Sequence, residues 1–184
     1  LRLVGPAFSG VSICGEGINE TRLTGGGLVV EDTGGGAPFC LEGVTLTNPN
    51  GHGLVISGGY NNPCSVRLTS CAISDCSVDG VTAVGAGASL ELVDCLVLRN
   101  GESGVNAPSD GARVRISGAS SRIHGNKWYE LRSDAGASIQ VSGLGTKPAL
   151  TEESDKYRFF SGATTSALFS EAHPNKSGNV VEYG

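Results

Sequence analysis

The chemically richest grouping of side chains in the chain lies in four turn segments. They read Asn48-Pro49-Asn50-Gly51-His52, Asp75-Cys76-Ser77-Val78-Asp79, Arg99-Asn100-Gly101-Glu102-Ser103 and His124-Gly125-Asn126-Lys127-Trp128-Tyr129. Each precedes an apolar stretch that opens at Leu54, Val81, Val105 or Leu131. Counting back two residues from those openings stacks His52, Asp79, Ser103 and Tyr129. An imidazole beside a carboxylate can exchange protons near neutral pH. The same count makes Asp75 and Arg99 neighbours. His52, Asp79 and Arg99 are therefore the catalytic candidates. The plainer and preferred reading makes Asp79 and Glu102 solvated turn residues and His52 a corner residue.

Aromatic side chains supply a different chemistry. Trp128 and Tyr129 could stack on a sugar ring or anchor a protein interface. Phe159 and Phe160, within Tyr157-Arg158-Phe159-Phe160, belong to the densest cluster of rings in the chain. These four are the binding candidates. No Cys-x-x-Cys or His-x-x-x-His spacing supports zinc. No Gly-x-Ser-x-Gly elbow presents a nucleophile. Glycines 25–27 and 34–36 lack the lysine–serine and βαβ context of a phosphate loop. No metal and no cofactor is expected.

The elements that must hold these turns recur along the chain. Val11, Phe39, Val66, Leu90, Val114 and Ile139 each open an apolar–polar–apolar triplet, at spacings of 28, 27, 24, 24 and 25 residues. Near-constant spacing marks stacked repeats. Strand side chains alternate faces. Val66, Leu90, Val114 and Ile139 then form one inward column, and Leu41, Leu68, Leu92, Ile116 and Val141 a second. Arg67, Glu91, Arg115 and Gln140 point outward, and their alternating signs neutralise one another. A turn column follows at Gly43, Ser70, Asp94, Gly118 and Gly143. Val44, Cys71, Cys95 and Ala119 resume the inward packing. The stretches from Leu28, Leu54, Val81, Val105 and Leu131 form another strand, most of them entered through a glycine. Cys64, Ala88, Ala112 and Ala137 close the coil at a small-residue corner.

Three strands and three corners per coil describe an all-β, right-handed parallel β-helix solenoid of about six coils. Residues 1–143 form it, and residues 144–184 form a C-terminal cap or docking tail with two short helices. The glycine–aliphatic corner, the asparagine-type turn ladder (Asn48, Cys76, Asn100, Asn126) and the 24-residue period resemble the repeats of pectate-lyase-like proteins. They are also similar to noncatalytic β-helix domains of intracellular adaptor proteins. Gly51-His52-Gly53 resembles a motif of the polygalacturonases. Their Asn-Thr-Asp, Asp-Asp and Arg-Ile-Lys companions are absent from this chain.

Composition narrows the function classes. A formal charge of −5 with no basic stripe excludes a nucleic-acid-binding reading. No apolar run reaches membrane-spanning length. Cys71 and Cys95 fall in one inward column, which suits reduced thiols packed as small apolar groups. That favours an intracellular setting over secretion, against which stand the sequons Asn19-Glu20-Thr21 and Asn175-Lys176-Ser177. The expectation is a noncatalytic rigid interaction module or structural subunit with protein partners in a larger assembly. The alternative is a polysaccharide-active enzyme or glycan-binding domain working near His52, Asp79 and Arg99.

Overall fold

The computed structural model describes residues 1–109, 111–134 and 136–143, and the backbone of 159–161, 173–174 and 180–181. The chain winds into a parallel β-solenoid with three faces. One face is a six-stranded sheet that holds Ser12–Cys14, Phe39–Glu42, Cys64–Thr69, Ala88–Val93, Arg113–Ser117 and Ser138–Ser142. The second face is five-stranded: Arg22–Thr24, Thr45–Thr47, Ala72–Ser74, Leu96–Leu98 and Arg122–His124. The third is seven-stranded and runs from Arg2–Val4 through Leu28–Glu31, Leu54–Ser57, Val81–Val84, Ser103–Ala107 and Tyr129–Ser133 to Phe159–Ser161. All three sheets are parallel throughout. Five members on the shortest face give about five turns. The sixth coil begins with Ser138–Ser142, and from 144 onward only the short backbone stretches named above are described.

Register follows the apolar columns. Phe39, Val66, Leu90, Val114 and Ile139 are successive partners on the six-stranded face, as are Leu41, Leu68, Leu92, Ile116 and Val141. All ten are buried. A one-residue slip would turn each set toward water, so burial fixes the pairing. Leu28, Leu54, Val81, Val105 and Leu131 align in the same way on the seven-stranded face. Small residues close the coil at Cys64, Ala88, Ala112 and Ala137, all buried.

The turn after each strand of the six-stranded face needs left-handed backbone. Gly43, Ser70, Asp94, Gly118 and Gly143 have φ of 62°, 50°, 52°, 96° and 62°. Glycine adopts that region freely, and Ser or Asp can adopt it at some cost. One expected column differs here. Ser121, rather than Ala119, stacks beneath Cys95, because Leu96 pairs with Arg122. The turn carries two extra residues, and Ser120 N–H fills one of them by bonding Asp94 Oδ1 at 2.9 Å. Ser121 Oγ accepts the Cys95 amide and donates to Ser117 O.

The corner between the five- and seven-stranded faces carries the candidate site. Asn48, Cys76, Asn100 and Asn126 stack there. The carbonyls of Asn48, Cys76 and Asn100 accept from Ser77, Gly101 and Lys127 in the next coil. Their side chains secure the corner. Asn48 Nδ2 donates to His52 O at 2.7 Å, and Asn100 Nδ2 donates to Asn126 Oδ1 at 2.9 Å. Cys76 lacks an amide, yet its own N–H is bonded by Asn100 Oδ1. The ladder thus satisfies polar groups that a tight corner would otherwise bury unpaired.

Candidate functional site

His52 and Asp79 meet just beyond this ladder. The ring Nδ1 lies 3.5 Å from Asp79 Oδ2, with the histidine side chain 37 % exposed and the aspartate 3 %. The register that pairs Leu54 with Val81 sets them on adjacent rungs. Ser103 and Tyr129 continue the stack as direct partners.

Asp79 is buried, which corrects the expectation of a solvated turn residue. Its oxygens accept from Ser103 N–H at 2.8 Å, Asn106 Nδ2 at 2.8 Å and Thr82 Oγ1 at 3.1 Å. Burial alone pushes this carboxyl up. The bonds from His52, Asn106, Ser103 and Thr82 outweigh that and hold it below its ordinary value. The carboxylate is therefore the hub that ties three consecutive coils together.

The same network sets the histidine tautomer. Thr82 Oγ1 gives its hydrogen to Asp79, so toward His52 Nδ1, 3.1 Å away, it can only accept. The hydrogen then resides on Nδ1, and Nε2 is the basic nitrogen. The hydrogen bond with Asp79 raises the ring's pKa, burial opposes it, and the charges of Asp79 and Glu102 add to the rise. An oriented imidazole of this kind can take up a proton. Among the described residues no second carboxylate hydrogen-bonds to the pair.

Arg99 is not drawn into that pair. It lies on the other side of the asparagine ladder and forms a bidentate bond with Asp75, Nε to Oδ1 at 2.9 Å and Nη2 to Oδ2 at 2.8 Å. That bond holds the Asp75 carboxyl below its usual value and raises the Arg99 guanidinium. Both residues adopt left-handed backbone, with φ of 56° and 52°, in a column that continues to Gly125. Such geometry is uncommon for an arginine.

Trp128 is 42 % exposed on the corner beside Glu102, whose carbonyl accepts the Trp128 backbone N–H at 3.0 Å. Tyr129 opens the next strand and is half-buried. The backbone of Phe159 and Phe160 pairs with Leu131 and Arg132 and so extends the seven-stranded face. The two helices expected within 144–184 lie outside the described residues.

Two features escaped the sequence reading. Arg113 stands in the outward column next to Arg67, Glu91 and Arg115, because Ser65, Ser89, Arg113 and Ser138 are successive partners. Together these columns line an open groove of about 310 Å³ on the six-stranded face. Arg67 reaches Glu91 at 3.5 Å, whereas the side chains of Arg113 and Arg115 make no ion pair or hydrogen bond among the described residues. Glu130 was also missed. It accepts from Asn126 Nδ2 at the foot of the ladder, and burial pushes its carboxyl up. Both could have been found by carrying the columns one residue to either side.

All six cysteines are free, and burial drives the Cys95 thiol up to about 12. Among the described residues no three His, Cys, Asp or Glu side chains converge on a possible metal position. Among the described residues no helix is long and apolar enough to cross a membrane. No family model, curated protein or solved structure matches the chain. Fold and site together define a class, a parallel β-solenoid with a buried Asp79 hub beside a half-exposed His52 at one corner and an arginine-bearing groove on another face.

Proposed function

We propose that this chain is a noncatalytic, rigid interaction module within a larger assembly. One observation carries the reading. The most reactive-looking pair, His52 and Asp79, is built into the fold, with the carboxylate buried and occupied by bonds from three coils. A residue that holds coils together is poorly placed to change partners during a reaction. The flat, repeating faces suit docking to protein, as in the noncatalytic β-helix domains that the repeats resemble. A depolymerisation assay tests this. Neutral and acidic polysaccharides are incubated with the folded chain, with and without calcium, and new chain ends are counted. No cleavage is expected. Cleavage abolished by His52→Ala would overturn the proposal.

A second reading rests on the groove. Arg113 and Arg115, whose side chains have no partner among the described residues, are flanked by Ser89, Ser138 and Gln140 and suit the carboxylates and hydroxyls of an acidic glycan. That is the noncatalytic counterpart of the pectate-lyase-like resemblance. Affinity electrophoresis in gels containing acidic or neutral polysaccharide separates it from the first reading. Retardation by the acidic polymer, lost in Arg113→Ala/Arg115→Ala, would favour it. Unchanged migration in every gel would leave the protein-docking reading.

A further inference from the structure

We infer that Asn50 is a self-modification site, which the fold leaves open to conversion into aspartate or isoaspartate while it protects the matching asparagine, Asn100. The chain holds two Asn-Gly sequences, Asn50-Gly51 and Asn100-Gly101. Both lie at the corner between the five- and seven-stranded faces. A glycine has no side chain to obstruct its own amide nitrogen as it approaches the preceding side-chain carbonyl. By sequence alone the two sites are equal. The fold separates them.

Asn50 lies in an insertion. Leu54, Val81 and Val105 are partners across the rungs, yet Asn48 precedes Leu54 by six residues, whereas Cys76 and Asn100 precede Val81 and Val105 by five. The next coil bonds past the extra residue. Ser77 N–H donates to Asn48 O at 3.0 Å and Val78 N–H to Gly51 O at 3.4 Å. Asn50 is exposed, and its side chain makes no hydrogen bond among the described residues. The attacking group is loosely held as well, since Gly51 N–H reaches Asn48 O only at 3.4 Å.

Asn100 is the opposite case. It is 1 % exposed, its Oδ1 accepts from Cys76 N–H at 3.2 Å, and its Nδ2 donates to Asn126 Oδ1 at 2.9 Å. Gly101 N–H gives a 2.8 Å bond to Cys76 O. Reaction there would break all three bonds inside the ladder.

The chemistry needs only water. Gly51 N gives its proton to a solvent base and attacks Asn50 Cγ. A bond forms between that nitrogen and Cγ, the Cγ–Nδ2 bond breaks, and ammonia leaves. Water then opens the five-membered imide. Cleavage between nitrogen and Cγ gives aspartate; cleavage between nitrogen and the main-chain carbonyl gives isoaspartate. The net change replaces an amide by a carboxylic acid, with no oxidation or reduction. In isoaspartate the main chain runs through Cβ and Cγ. One carbon is thereby added between Asn48 and His52, where Asn48 Nδ2 holds His52 O at 2.7 Å.

Prolonged incubation of the folded full chain, at neutral pH and physiological temperature, tests the inference. Peptide mass spectrometry and enzymatic methylation of isoaspartate follow each site. Residue 50 should convert more than about tenfold faster than residue 100, because Asn100 reacts only when its corner opens. In strong denaturant the two sites should convert at similar rates. Asn50→Ala should abolish the isoaspartate signal of the folded chain, and Gly51→Ala should slow conversion at Asn50. Both variants should keep the circular dichroism spectrum of the wild type. Equal rates at the two sites in the folded chain would overturn the inference. So would an Asn50 that keeps its amide while the denatured chain converts, a gap between the sites that persists in denaturant, or an isoaspartate signal that survives Asn50→Ala.

Discussion

Glu130 stands in its coil where Gly104 stands in the coil before, because Val105 pairs with Leu131. The same column holds Gly53 and Gly80. A side chain on Gly104 would place its Cβ 2.5 Å from Asn126 Nδ2 and 2.7 Å from Glu130 O. On Gly80 it would come 2.6 Å from Asn100 Nδ2. Gly80 and Gly104 make room for the ladder amide of the next coil, and Gly53 makes room for the Cys76 thiol. Beyond Glu130 the described residues hold no further ladder member. Its carboxylate instead accepts from Asn126 and terminates the ladder.

Gly104→Ala should therefore cost about 1–3 kcal/mol, the usual penalty for overpacking. Urea unfolding would measure it. An unchanged midpoint would mean that Asn126 moves aside freely.

Glu130→Gln should act in the opposite direction at neutral pH. Burial raises the folded-state pKa of Glu130 above its ordinary 4.5, so ionisation costs the folded chain stability as pH rises through that range. Glutamine keeps an acceptor for Asn126 and carries no charge. Its melting temperature should exceed the wild type at pH 7, and the gap should close below pH 4.5. Calorimetry at the two pH values checks the sign.

The Asp79 hub predicts a marked asymmetry between two substitutions. Asp79→Ala strands the Ser103 amide, Asn106 and Thr82, and should cost about 3 kcal/mol or more. His52→Ala removes a half-exposed partner and should cost about 1 kcal/mol or less. Equal losses in thermal unfolding would contradict this division of roles.

The same pair predicts a pH window. The folded pKa of His52 is raised, so its contribution is complete below about 6.5 and fades as pH climbs through the raised value. The folded pKa of Asp79 is depressed, so its contribution is present above about 3.8 and fades as pH falls through the depressed value. Stabilisation by the pair is strongest between the two. In Asp79→Asn the His52 titration, followed by nuclear magnetic resonance, should shift downward. An unmoved titration would show that Asp79 does not set the histidine's basicity.

Core packing predicts a contrast along the rod. Leu92 is fully buried between coils, and Leu92→Ala should cost about 2–5 kcal/mol. Leu23 is 40 % exposed, and Leu23→Ala should cost less than half as much. Thiols should follow the same gradient. Cys14 is exposed and should react first with a thiol reagent, while buried Cys64, Cys71, Cys76 and Cys95 should wait for unfolding.

The amino-acid sequence by itself determined the solenoid. Period-two alternation and coil spacing were enough to place Leu92 under Leu68, Cys95 under Cys71, and Asp79 beside His52. Both are chain-local properties, and burial of each column leaves a single register. What only the tertiary structure decided is how turn side chains lie. Asp79 reads as an ordinary polar turn residue, yet it is buried because Thr82, Asn106 and Ser103 surround it from its own and the neighbouring coil. Arg99 reads as a possible partner of that site, yet the asparagine ladder stands between them and Asp75 takes it. Ser121 displaced Ala119 because a turn two residues longer still had to deliver the next strand in register. A spacing rule assigns a residue to a column. Whether its side chain meets water or the next coil depends on contacts across rungs, which no single repeat contains.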